Sequence, residues 1–142
     1  MKEKGFFAYG SELASSGECI EEAIVKINAS GEVELGSWKK LKVSGRLIIS
    51  SILETIDDSD FFCADLTSLN NNVLFELGYA IAKKMPLFLI NDVSQLDSIR
   101  KYKSFGLLET TGYSAYSNTD DIVQKFLKST LTTPQVVVCG IP

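Results

Sequence analysis

The sequence predicts an open α/β sheet of about five mostly parallel strands. Short apolar runs alternate with stretches of helical period from one end of the chain to the other. Two of those runs, DFFCAD (60–65) and PLFLIND (86–92), are almost continuously apolar. Strands of a parallel sheet covered on both faces read that way. The chain has 142 residues, 45% of them hydrophobic and 23% charged, with only 3 prolines. That is enough apolar material for one domain with a real core and argues against disorder.

Taken in order, GFFAY (5–9) is a short apolar run ending at Gly10-Ser11-Glu12, the pattern of a buried first strand. In 15–30, Ile20, Ala23, Ile24 and Ile27 recur at helical spacing, with acids near the start. GEVELGSW (31–38) alternates polar and apolar and predicts a second strand nearer an edge. A second helix follows in 44–60. Its apolar stripe is Leu47, Ile48, Ser51, Ile52, Thr55 and Ile56, and Ser44 is a candidate N-cap. Residues 60–65 form the third strand, closed by Asp65. A helix is expected over 72–84 and a strand over 86–92, with Pro86 at the strand's first residue, where a missing N–H does least harm. Residues 94–108 read as a short helix or irregular segment, GYSAYS (112–117) as a fifth strand, and 118–131 as a capped amphipathic helix. One domain is thus expected over 1–131. TTPQVVVCGIP (132–142) reads as a linker running into a new apolar strand, which either opens a following domain or docks on the sheet's edge.

Composition removes several classes of function. The net charge is −4, and Lys and Arg are scattered apart from WKKLK (38–42), so a broad nucleic-acid footprint is not expected. Histidine is absent. That rules out Ser-His-Asp and Cys-His catalysis and most zinc sites, and leaves acid–base work to carboxylates, Tyr, Lys or water. Cys19, Cys63 and Cys139 lie far apart without metal-type spacing. They read as buried thiols in a reducing cytoplasm. No apolar run reaches about 18 residues, and the N-terminus lacks a signal-peptide core of about 7–15 apolar residues. A soluble cytoplasmic domain with no membrane partner is expected.

Ligands of open α/β sheets collect outside the carboxyl ends of the strands. Here those ends carry Tyr9-Gly10-Ser11-Glu12, Asp65-Leu66-Thr67 and Asn91-Asp92. The third helix begins just after Asp65 and carries Glu76 about one turn inside, between Phe75 and Leu77. Val73, Leu74, Tyr79, Ala80 and Ile81 leave little polar face there, so Glu76 lies on a narrow polar stripe with Asn72, Tyr79 and Lys83. Asp65 and Asn70 to Asn72 have two readings, as crevice residues or as a loop cap and turn formers. Gly78 costs roughly 1 kcal/mol against Ala mid-helix, which a close approach to the sheet or a ligand would explain. Neither a Walker lysine nor a GxGxxG pattern follows the first strand. Ser11, Ser15, Ser16 and Gly17 either offer hydroxyls and amides to a sugar or phosphate or form a flexible polar loop.

ADLTSLNNNVLFELGYAIAKKMPLFLI (64–90) resembles the core motif shared by nucleoside 2-deoxyribosyltransferases and bacterial TIR-like (Toll/interleukin-1 receptor-like) nucleotide-binding domains. In both, a strand ends in Asp, an Asn-containing loop follows, and an ELG helix supplies the key glutamate. Residues 44–67 also resemble the helix–strand pair of the TIR-like domains, and FFAYGSE resembles their first strand and ligand-contacting turn. The resemblance implies a flavodoxin-like sheet with helices on both faces and chemistry at an N-glycosidic bond. It implies that Glu76 is the catalytic glutamate and Asp65 the strand-end aspartate. Tyr9, Gly10 and Ser11 would line the base or ribose pocket and Asn72 the helix entry, and Arg46, in the first turn of the second helix, would join the substrate-binding residues. Asp92 joins this set, and a leaving base that needs a proton would take it from Asp65 or Asp92.

No cofactor is implied: NAD or a related nucleotide would be the substrate, in a bacterial anti-phage effector working as a homo-oligomer or filament with a fused or associated sensor. Base exchange between nucleosides, nucleotide N-glycosidase activity and a non-catalytic nucleotide-binding or assembly module are the alternatives. The transferases usually place a second acid shortly before the glutamate. Here Asn70, Asn71 and Asn72 fill that space, which favours hydrolysis.

Overall fold

The computed structural model describes residues 2–11, 14–41, 48–92, 94 and 112–129. Its strands are β1 (Glu3–Ala8), β2 (Val33–Ser37), β3 (Phe61–Asp65), β4 (Leu87–Asp92) and β5 (Ser114–Tyr116). The helices among the described residues are α1 (Ala14–Ala29), α2 (Ile48–Asp57), α3 (Asn71–Ala82) and α4 (Thr119–Lys128). All four strand pairings are parallel, in the order β2-β1-β3-β4-β5. This is the expected flavodoxin-like open sheet.

Period-two alternation along the strands divides the core into two layers. Phe6 and Ala8 of β1 and Phe62 and Ala64 of β3 pack with Ile52, Ile56, Val73, Leu77 and Ala80 of α2 and α3. Phe7 and Tyr9, with Phe61 and Cys63, pack instead with Ile20, Ile24, Ile27, Ile122 and Phe126 of α1 and α4. The first layer is centred on Phe6 and Phe62, whose rings stack at 6.4 Å. In the second, Phe126 meets Phe61 at 5.7 Å and Phe88 edge-on at 5.2 Å. Gly5 pairs with Phe61 across β1 and β3, and the Phe61 ring fills the place a side chain would take.

The boundaries depart from the sequence reading where pairing or chain reversal decides them. β1 starts at Glu3, not Gly5, because Glu3 and Lys4 pair with Val33 and Glu34 although their side chains are exposed. α3 stops at Ala82, two residues early. Lys84 turns left-handed at φ 58°, and Met85 N–H donates to Ala80 O while Lys84 N–H donates to Ile81 O. These are the paired bonds of a Schellman ending. Gly78 is exposed and a Cβ there would meet nothing within 4 Å. The close approach expected of it is not made among the described residues. Ser44, Leu47 and all but Ser94 of the 94–108 segment lie outside the described residues, as does the 132–142 tail. No described helix is long and apolar enough to cross a membrane.

Candidate active site

The chain leaves β1 through α1 to β2 on one side, and leaves β3 through α3 to β4 on the other. The connections leaving β1 and β3 therefore run to opposite sides, which makes the carboxyl ends of these two strands the switch point, the place where sheets of this order bind ligands. On the α2/α3 face the side chains shrink towards that edge. The stacked Phe6–Phe62 pair gives way to Ala8 opposite Ala64, the last register pair of β1 and β3.

Glu76 sits on α3 among Val73, Leu77 and Ala80, which face the sheet, and is itself only 6% exposed. It forms neither a hydrogen bond nor an ion pair among the described residues. Burial alone pushes its carboxyl from 4.5 up to about 7. The stripe it shares with Asn72, Tyr79 and Lys83 is organised from its far end. Tyr79 Oη donates to Asp57 Oδ1 at 2.6 Å and Lys83 Nζ pairs with the same oxygen, clasping α3 to the end of α2. Asn72 is exposed in the first turn.

The loop between β3 and α3 is built to hold this helix entry. Asn70 is the N-cap, its side chain accepting from Asn72 N–H at 2.8 Å and Val73 N–H at 3.3 Å. Of the two readings of the asparagines, Asn70 thus takes the capping one. Before it, Leu69 has a left-handed backbone at φ 47°, rare for a bulky residue. Its buried side chain in the α2/α3 layer and its N–H bond to Leu66 O hold it there.

Asp65 takes a different place from the one expected beside Glu76. Alternation along β3 sends it to the α1/α4 face, where it is 6% exposed. Tyr116 Oη donates to Asp65 Oδ2 at 3.2 Å, and Thr67 donates to Oδ1 from both its hydroxyl and its N–H. Burial, only partly offset by these bonds, raises the Asp65 carboxyl to about 6. Thr67 Oγ1 also accepts from Asp92 N–H at 2.9 Å, so the cluster ties the ends of β3, β4 and β5. Ser16 bonds the Tyr116 hydroxyl and draws in α1. Asp92 Oδ1 accepts from Ser94 N–H and Oγ at 3.0 and 2.6 Å.

Tyr9 is on this second face as well. Its hydroxyl donates to Glu21 Oε2, which also accepts from Ser37 Oγ at 2.6 Å, and its ring meets Trp38 at 5.8 Å. The phenol is therefore occupied within the fold, and burial with the nearby carboxylate raises its pKa. Gly10 and Ser11, which follow it, are half-buried and exposed at the switch-point edge. Arg46 lies outside the described residues. Thr67, Tyr116 and Ser16 were not singled out as site residues. Tyr116 closes the apolar run of β5 and Thr67 follows the strand-end Asp by two, so position at a strand's carboxyl end was the available signal. Among the described residues no three His, Cys, Asp or Glu side chains group to hold a metal ion.

No protein-family model matches the sequence, and no curated protein matches it either. Solved structures do. The CMP N-glycosidase BcmB of Clostridium botulinum superposes with a TM-score of 0.65 at 17% identity, over 87% of this chain and 97% of that one. A conserved protein from Enterococcus faecalis V583 gives 0.64 at 15% identity, over 90% and 99%. The TIR domains of the activated Roq1 resistosome give 0.64 at 10% identity, over 89% and 98%. The chain has their fold. It is the flavodoxin-like arrangement of sheet and helices that the motif resemblance implied. At these identities the likeness extends to the architecture.

Proposed function

We propose that this chain is a TIR-like N-glycosidase that hydrolyses the ribosyl–base bond of NAD or a related nucleotide. One observation carries the reading: Glu76, a nearly buried carboxyl without a partner in the described protein, on the helix that opens at the switch-point edge. An unpaired carboxyl in such surroundings weakens the fold, and sites that bind a cationic centre are where such groups are retained. Cleavage of a ribosyl–nitrogen bond passes through an oxocarbenium-like C1′. An anionic Glu76 stabilises or traps that centre as the C1′–N bond breaks and its electron pair leaves with the base. Water then forms the new C1′–O bond, displacing the Glu76 carboxylate where it has bonded C1′, and its proton passes to solvent or to the departed base.

A nicotinamide leaving group already carries positive charge and departs without an acid. Other bases need a proton; of the two candidate donors, Asp65 is held by Thr67 and Tyr116 on the opposite face, and Asp92 stands at the end of β4 with one carboxylate oxygen bonded to Ser94. This supports NAD-type substrates over base exchange, as does Asn70's commitment to capping. The fold shared with a CMP N-glycosidase keeps a pyrimidine nucleotide as the second reading. In the wider reading the chain is an anti-phage effector, joined to a sensor and active as a homo-oligomer or filament. Its support is the motif resemblance and the kinship of fold with TIR domains of a resistosome.

Incubation of the protein with NAD or CMP, dilute and under assembly-promoting conditions, is expected to release the free base. Glu76→Gln is expected to lower turnover by about 10³-fold or more while the circular dichroism is unchanged. Full turnover in that variant would remove Glu76 from the mechanism. Base exchange between deoxynucleosides without hydrolysis would replace this reading with the transferase. Nucleotide binding without turnover would leave a binding module.

A further inference from the structure

The cationic run WKKLK (38–42) has no part in the site described above. In the fold, β2 ends at Ser37 and Trp38–Lys40 follow as a 3-10 turn. The turn therefore stands at the carboxyl edge of the sheet, beside the end of β1, where Ser37 pairs with Phe7. It is held in place. Trp38 packs against both apolar layers and against the Tyr9 ring, and the Ser37 hydroxyl is tied to Glu21. Lys39 is exposed, with its ammonium 5.9 Å from the Trp38 ring centroid, and makes no ion pair among the described residues. The charged side chains that β3, α3 and β4 bring to the same edge are all acids: Asp65, Glu76 and Asp92. Among the described residues, an anionic ligand meets repulsion along β3 and β4 and attraction at the β2 end.

We propose that the Trp38–Lys39 turn receives the phosphate of the substrate, so that the site selects 5′-phosphorylated nucleotides over nucleosides. The inference rests on the N-glycosidase reading of Glu76 and adds a direction to it. The end of β2 is two strand spacings from β3, roughly 10 Å. A nucleotide laid across the end of β1 spans that distance with its sugar towards α3 and its phosphate at Lys39.

The test uses two matched pairs that differ only in the phosphate: CMP with cytidine, and nicotinamide mononucleotide with nicotinamide riboside. Binding is measured calorimetrically in the Glu76→Gln protein, where turnover does not interfere. At least one phosphorylated member is expected to bind about 10-fold more tightly than its nucleoside, and the preference should shrink in high salt. Adding Lys39→Glu is expected to weaken the nucleotide by about 10-fold or more and leave the nucleoside unchanged. Lys128→Ala, at the opposite end of the sheet, should change neither. Equal binding within both pairs, or equal weakening of both members by Lys39→Glu, would overturn the proposal. If wild-type protein releases base without preferring the phosphorylated member, the phosphate site falls and the N-glycosidase reading stands. If neither base release nor binding occurs with any of the four, both fall.

Discussion

At Glu76 the stability of the fold and the proposed function pull apart. Its carboxyl is buried without a described partner, and its pKa stands at about 7 against an ordinary 4.5. Between those values the folded protein keeps a proton that the unfolded chain has released. Stability therefore falls as pH rises through that window, and the loss is complete above about pH 7. The full cost is roughly 3 kcal/mol. Glu76→Gln is accordingly expected to stabilise the ligand-free protein by about 1–3 kcal/mol at pH 8 and by almost nothing at pH 4, read from urea denaturation midpoints. A variant that is less stable than wild type at pH 8 would mean that the carboxylate has a favourable partner. Asp65 adds to the same trend over a lower window, from 3.8 to about 6, because its burial outweighs the bonds from Thr67 and Tyr116. The sequence alone made Glu76 conspicuous, through the apolar residues around it. It could not show that Asp65 would lie on the face away from α3, because which helices cover each side of β3 depends on the crossovers of the whole sheet.

At the scale of elements, two backbone positions are under opposite constraints. Gly5 lies beneath the Phe61 ring, with a ring carbon 2.2 Å from where a Cβ would stand. Gly5→Ala is expected to cost about 1–3 kcal/mol, since Phe61 is 1% exposed and has nowhere to move. A denaturation midpoint unchanged from wild type would show that β1 and β3 can slide apart at this point. Lys84 ends α3 in the left-handed region, where its Cβ is strained. Lys84→Gly is expected to raise stability by about 1 kcal/mol and the thermal midpoint by a few degrees. Helix period and strand composition made these elements legible. Their ends were less so, because α3 stops through a left-handed lysine rather than the glycine or asparagine that usually marks such a turn. Gly78, which invited a packing explanation, is simply exposed.

The whole molecule sets the pH dependence of any reaction at this edge. If Glu76 acts as an anion, kcat/KM for base release is expected to rise with pH along an apparent pKa near 7 and then to level off. A rate falling over that range would instead make protonated Glu76 the working form. Alternation of strands and helices and apolar period were sufficient to determine an open α/β sheet, and the absence of histidine left carboxylates among the candidate acid–base groups. These are local or compositional properties, carried by each segment independently of its neighbours. Strand order, and with it the switch point at β1 and β3, follows from which segments pair over long sequence separations. Tertiary packing alone commits the Tyr9 phenol to Glu21, encloses Asp65 with Tyr116 and sets Lys39 at the carboxyl edge of the sheet beside β1. Those outcomes depend on the direction each side chain takes once neighbouring strands are in register, and no single stretch of sequence contains that information.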